Sequence, residues 1–310
     1  ELDLSIYQAI QEAQQILTQA LGSDAAALKL TFETDIQRTY RVIQFEDAEI
    51  EVCLDVGVVR TSGREQTIHE VEFELKSGSV QSLLAFSFEW VKKYQLWLDV
   101  RSKAEMGNLL ALEQTVSPAR FEKEFVLSKK ESAAHNLSLL IGQQMQHLLP
   151  NIAAISAGVA EQSHIDQAQT ALEHLQLTLA LFKDWNSNIS DKWAMQLAAF
   201  KHQFDHLQHL QHMQSTLGAF LQNPTTTENL AKDILYAQEK LGNLVKSTQN
   251  VHHYLELLTF SLSSHDQVQK QDLKTYTHNT LQNQYRQLQE SLNDADISHF
   301  ESLDVLTQKI

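Results

Sequence analysis

Cysteine is nearly missing: Cys53 stands alone in 310 residues, so no disulfide forms within the chain, and a reducing compartment is expected. Basic charge is also scarce. Lys and Arg number 24 against 39 Asp and Glu, for a net charge of −15. That balance argues against the clustered cations that hold nonspecific nucleic acid or an anionic membrane. No apolar run approaches the roughly 20 residues of a membrane-spanning helix. The opening ELDLSIYQAIQEAQ has neither the basic start nor the apolar stretch of a secretion signal. The expectation is a soluble, cytoplasmic protein without nucleic-acid or membrane partners. A glycine-rich phosphate loop and a serine or cysteine nucleophile motif are absent as well. Any polyanionic substrate therefore needs a local basic site.

What is present divides into two periods, long enough for two cores. From Ala27 to about Leu112 the segments LKLTFET, RTYRVIQF, AEIEVCLDVGVVR and QTIHEVEFELK alternate and are rich in β-branched and aromatic residues, the pattern of half-buried strands. TSGRE, residues 61–65, supplies the glycine of a hairpin loop. Closing that hairpin around Ser62 to Arg64 places Asp55 opposite Glu72, Cys53 opposite Glu74 and Glu51 opposite Lys76. Successive side chains of a strand point to opposite faces, so Glu70, Glu72 and Glu74 share one face with Glu51 and Asp55, while Val71, Phe73 and Leu75 share the other. The helix predicted over SVQSLLAFSFEWVKKYQL, with Val80, Leu83, Leu84, Ser87, Trp90, Val91 and Tyr94 at helical spacing, covers the apolar side.

From about Ser128 the period lengthens to that of amphipathic helices and stays there, with breaks expected at Pro150, around Asn186 to Asn188, at Asn223 to Thr225 and at Ser263 to His265, and a last helical set from Gln267 to Ile310. The expected class is α+β: a sheet domain over residues 1–112, a linker over 113–127 containing Pro118, and an all-α domain over 128–310.

A strand with three carboxylates on one face is ordinarily a solvated outer surface. Glu51 and Asp55 on the neighbouring strand raise the density beyond what solubility needs, and hard divalent cations such as Mg²⁺ or Mn²⁺ are held by oxygen ligands of this kind.

The runs IEVCLDVGVVR (50–60), IHEVEFELKSG (68–78), the helix after them and RSKAEMG (101–107) resemble the later half of a CYTH domain, the fold of the triphosphate tunnel metalloenzymes. FETDIQRTYRV (32–42) is similar to the strand before them, so the resemblance covers roughly residues 25 to 110. It implies an antiparallel β-tunnel in which acids meet a divalent metal, Mg²⁺ or Mn²⁺, and basic residues meet a triphosphate. Carried over by position, Arg38 and Lys103, the latter on a terminal "SK" strand, contact substrate. Glu70, Glu72 and Asp55 hold metal, and Glu74 with Asp55 orients or deprotonates the attacking water. The implied activity is hydrolysis of inorganic triphosphate or a related compound; the alternatives are a phosphate-binding or scaffold protein without turnover, and cyclisation as in the class IV adenylate cyclases. The family's opening "E-x-E-x-K" strand has no counterpart before Ala27. The expectation is that further strands lie upstream, or that this chain does not catalyse alone.

The order of the two halves resembles CYTH-CHAD proteins, bacterial triphosphatases with a C-terminal helical domain associated with polyphosphate. Where that family reads "R-V-A-x-R-R-x-R", this sequence has Gln169-Thr170-Ala171-Leu172-Glu173-His174-Leu175-Gln176. Residues 113–310 hold 14 Lys and Arg against 21 Asp and Glu, a poor cradle for polyphosphate, so the architecture carries over and the ligand does not. One cluster stands apart: His202, His206, His209 and His212 in KHQFDHLQHLQHM fall on a broad helical stripe. It reads as a plain polar face, a transition-metal site or, when protonated, an anion-binding face.

Overall fold

The β-rich part is built on two tight turns. In the computed structural model, which describes residues 9–21, 30–217, 220, 224–263 and 272–293, strand β1 (Glu33–Phe45) reaches β2 (Ala48–Thr61) through Glu46 and Asp47. Strand β2 reaches β3 (Arg64–Ser77) through Ser62 and Gly63, the latter at φ 107°. Two-residue turns between neighbouring strands in the order β1-β2-β3 make the sheet antiparallel. The two segments expected as separate strands around Thr34 and Arg38 are one continuous strand, because Asp35-Ile36-Gln37 offers no glycine or proline to turn on. The strand start expected at residues 28–29, the break at Asn223 and most of the helical set beyond residue 293 lie outside the described residues.

The turn at Ser62-Gly63 also corrects the register. With Thr61 and Arg64 flanking the turn, Asp55 stands across from Glu70, and Glu51 across from Glu74, two positions away from the expected partners. A slip of two leaves every side chain on its face, so the shared acidic side survives the correction.

The chain forms two compact units. The first comprises residues 1–39, 54–70 and 102–115. It contains helix α1 (Gln11–Leu21) and helix α3 (Lys103–Ala111). Its core is Val59, Ile68 and Met106, with Phe32, Ile36 and Leu110 packed around them. Gly107 lies against Phe32, where a Cβ would come within 2.2 Å of the ring. This absence of a side chain lets α3 settle close to its core.

The second unit comprises residues 40–53, 71–101 and 116–310. Helix α2 (Val80–Tyr94) is apolar on two sides. One side presents Phe86 to Phe45, Phe73 and Trp90, ring centroids 5.1–5.4 Å apart, above Ala48 and Ile50. The other packs Leu84 and Val91 on Val251 and Leu255 of helix α8 (Thr248–Leu262). Its start is held by the β1–β2 turn: the single Ser82 hydroxyl proton is shared between Glu46 Oε2 at 2.8 Å and Asp47 Oδ1 at 2.5 Å, and Ser79 donates to the same Asp47 oxygen at 2.8 Å.

The rest of this unit is helical: α4 (Ala133–Ser156), α5 (Gln162–Phe182), α6 (Asp191–Leu217), α7 (Pro224–Val245), α8 and α9 (Leu273–Asn293). Helix α4 packs on α5, α7 and α8, and α6 packs on α5 and α7. The core runs through Ile141, Met145, Leu172, Leu175, Leu197, Phe204, Tyr254 and Leu257. The break expected at Pro150 does not occur, since α4 continues through it to Ser156. Proline removes one helical hydrogen bond; here Asn151, fully buried, donates from Nδ2 to the carbonyls of His147 and Arg120 and holds that turn in place. The Arg120 N–H donates back to Asn151 Oδ1, which lashes the irregular segment after Val116 to α4. Among the described residues no helix is long and apolar enough to cross a membrane.

Candidate functional site

Four of the residues singled out in the sequence come together in the first unit. Arg38 on β1, Asp55 on β2 and Glu70 on β3 form a row across the sheet, set by the two tight turns. The Arg38 guanidinium grips Asp55 with two parallel hydrogen bonds, Nε to Oδ1 at 2.7 Å and Nη2 to Oδ2 at 2.6 Å. Such bidentate, charge-assisted pairs are among the stronger polar contacts in proteins. Lys103 Nζ lies 2.8 Å from Asp55 Oδ2 and also contacts Glu70 Oε1. Two acids are thus matched by two bases.

Lys103 arrives by an unexpected route. It was expected on a terminal strand; it is the first residue of α3, and Ser102 caps the helix by accepting from the Glu105 N–H at 3.1 Å. Ser102 followed three residues later by Glu105 is a helix-start signal, and it outweighs the strand expectation. The helix start still projects the ammonium onto Asp55.

Burial sharpens the electrostatics. Asp55 is fully buried, while the side chain of Arg38 is 40% exposed and that of Lys103 is 17% exposed. The Arg38 hydrogen bonds, helped by Lys103 and opposed by burial, hold the Asp55 carboxyl down at about 2, from an ordinary 3.8. Asp55 is therefore an anion throughout the physiological range. Nearby in the same unit, Arg60 bonds Glu33 at 3.1 Å and Asp35 at 3.3 Å, an exposed group that the sequence reading passed over because both acids lie in a strand whose pattern looked unremarkable.

Glu72 and Glu74 belong to the second unit, further along β3. Glu74 meets Glu51 and Cys53 there, with ligand atoms within 4.8 Å of one another. Lys76 Nζ lies 2.9 Å from Glu51 and 3.0 Å from Glu74, and these two carboxylates, Glu51 foremost, raise the pKa of its ammonium. The structure therefore unites Arg38, Asp55, Glu70 and Lys103, and gathers Glu74 with Glu51, Cys53 and Lys76.

Chemically, a carboxylate row offers hard oxygen donors for a divalent cation, and the flanking guanidinium and ammonium offer fixed positive charge to an oxyanion. The Asp55 and Glu70 oxygens lie within 4.8 Å of one another, close enough to share one ion. Lys103 Nζ, seated between them, marks a place that a cation already occupies. The chain matches no protein-family model. Over 111 residues it is 33% identical to an inorganic triphosphatase of Haemophilus influenzae, the alignment taking in 36% of this chain. The chain spans about a third of the length of that relative, 32%.

Proposed function

We propose that this chain contributes one wall of a β-tunnel that hydrolyses inorganic triphosphate or a related triphosphorylated compound with Mg²⁺ or Mn²⁺, in the manner of the CYTH-CHAD proteins that its sequence resembles. The observation that carries the reading is Lys103 Nζ bridging Asp55 and Glu70, with Arg38 clamping the same Asp55. The similarity to an inorganic triphosphatase supports it.

In this reading Asp55 and Glu70 hold the ion, and on the sequence resemblance Glu72 supplies a third carboxylate. A divalent ion held by these carboxylates would supply positive charge to offset that of the phosphate oxygens. Lys103, released from the acid pair, turns its ammonium to the phosphate, and Arg38 offers the guanidinium edge that its 40% exposed side chain leaves accessible. Asp55 and, on the sequence resemblance, Glu74 orient the attacking water. The helical domain is assigned no polyphosphate, because its basic positions are replaced by Gln, Glu and His.

The test is phosphate release from inorganic triphosphate by the 310-residue chain in Mg²⁺ or Mn²⁺, with triphosphate binding measured in parallel. Glu70→Gln and Lys103→Ala are each expected to reduce release by at least tenfold and to weaken binding. Binding without release supports the non-catalytic alternative. Variants that bind and hydrolyse triphosphate as well as an active parent overturn the reading.

A further inference from the structure

Four histidines of the second unit hold the fold through the groups they touch. His147 Nε2 pairs with Gln167 Oε1 at 3.0 Å, His164 bonds the Ser117 carbonyl at 2.9 Å and accepts from the Glu161 N–H, His174 pairs with Glu122 at 2.9 Å, and His252 bonds the Phe88 carbonyl at 3.1 Å. Each of these is engaged in holding the fold. His202, His206 and His209 on α6 are different: all three are exposed, and among the described residues none makes a hydrogen bond or ion pair.

Their placement is regular. Phe200, Phe204 and Leu207 of the same helix are buried in the core, and at about 100° per residue the three imidazoles fall on the side opposite them. His202 and His206 are one turn apart at i, i+4, and His206 and His209 are neighbours at i, i+3, spacings that bring Cβ atoms to about 5–6 Å. Two imidazoles at that separation reach a single ion at the usual metal–nitrogen distance of about 2.0–2.1 Å. His206 belongs to both pairs.

The donor chemistry selects the ion. Asp205, the carboxylate in this stretch, is already held by Lys201 Nζ at 2.9 Å and by Gln169 Nε2 at 2.7 Å. The stripe is therefore an imidazole site, which suits Zn²⁺, Cu²⁺ or Ni²⁺ and not the hard, oxygen-seeking Mg²⁺. We propose that the solvent side of α6 binds one borderline transition-metal ion through His206 together with His202 or His209. The site is separate from the carboxylates of the sheet and selects a different class of ion.

The experiment uses the 310-residue chain carrying no affinity tag, titrated with Zn²⁺ by calorimetry, with Cu²⁺ binding followed by electron paramagnetic resonance. Expected are a single tight Zn²⁺ equivalent, undisplaced by excess Mg²⁺, and nitrogen couplings in the Cu²⁺ spectrum. His206→Gln is expected to weaken Zn²⁺ at least tenfold and to remove nitrogen couplings. His202→Gln and His209→Gln are expected to weaken it less, since each leaves one pair intact. Cys53→Ser, in the other described group of soft and carboxylate donors, should leave the affinity unchanged. Equal Zn²⁺ affinity in His206→Gln, displacement by Mg²⁺, or loss of binding in Cys53→Ser overturns the proposal.

Discussion

Arg38 and Asp55 face each other on neighbouring strands, joined by two parallel hydrogen bonds of 2.7 and 2.6 Å, with the carboxylate fully buried. The pair ties the stability of the first unit to proton concentration. Because the folded pKa of Asp55, about 2, lies below its ordinary 3.8, the unfolded chain binds more protons, and the stabilisation is complete above pH 4 and lost as pH falls toward 2. The difference is on the order of 2 kcal/mol. Urea unfolding at pH 6 and pH 2.5 should show this loss in the parent. Asp55→Asn should be less stable at pH 6, by about 1–3 kcal/mol, and should respond less to acid. An identical acid response in Asp55→Asn would remove the pair from the account.

Gly57 on β2 lies against β1, and a Cβ there would meet the Asp35 carbonyl oxygen at 2.0 Å. The obstacle is backbone, which cannot rotate away. Gly57→Ala should cost about 1–3 kcal/mol, read as a lower denaturation midpoint. A midpoint within error of the parent would mean that the strands separate freely at this point.

The strands, the hairpin and the acidic face are legible in the sequence, because alternation and turn residues are local signals. What depends on partners distant in the chain is not. Phe86 was not among the helix residues expected to pack, yet it is 5% exposed and sits at the centre of the aromatic group on the sheet, since α2 is apolar on two sides and a single-stripe reading assigns it only one. The two-position error in register came from counting Arg64 into the turn. Pro150 alone predicts a stop, because the side chain that secures the surrounding helix, Asn151, bonds Arg120 across 31 residues of sequence.

His253 is 2% exposed, and burial lowers its pKa from the ordinary 6.5, against a weaker pull from Glu256, whose Oε2 lies 3.6 Å from Nδ1. Glu256 is itself bonded by Trp193 Nε1 at 2.8 Å. A folded pKa below the unfolded value gives stability that is present above pH 6.5 and lost as pH falls. His147, also lowered by burial, acts in the same direction. The melting temperature should drop between pH 7.5 and pH 5.5, and His253→Leu should shrink that drop. A drop of the same size in His253→Leu would assign the effect elsewhere.

Tyr254 is 1% exposed, burial raises its pKa, and its hydroxyl has no hydrogen-bond partner among the described residues. An unsatisfied buried hydroxyl destabilises a fold. Tyr254→Phe keeps the ring that packs 6.1 Å from Phe200 and removes only the oxygen. Thermal or chemical denaturation should show the variant more stable by about 1 kcal/mol. A less stable variant would reveal a bonded water or other partner for the hydroxyl.

The ammonium of Lys103, resting between two carboxylates, has a consequence for how the protein withstands chelators. Small metal-dependent folds collapse when their ion is stripped, since nothing else neutralises the ligands. Here the counter-charge is covalently attached, so EDTA should leave the fold intact, and on the proposed reading it should stop phosphate release without unfolding the protein.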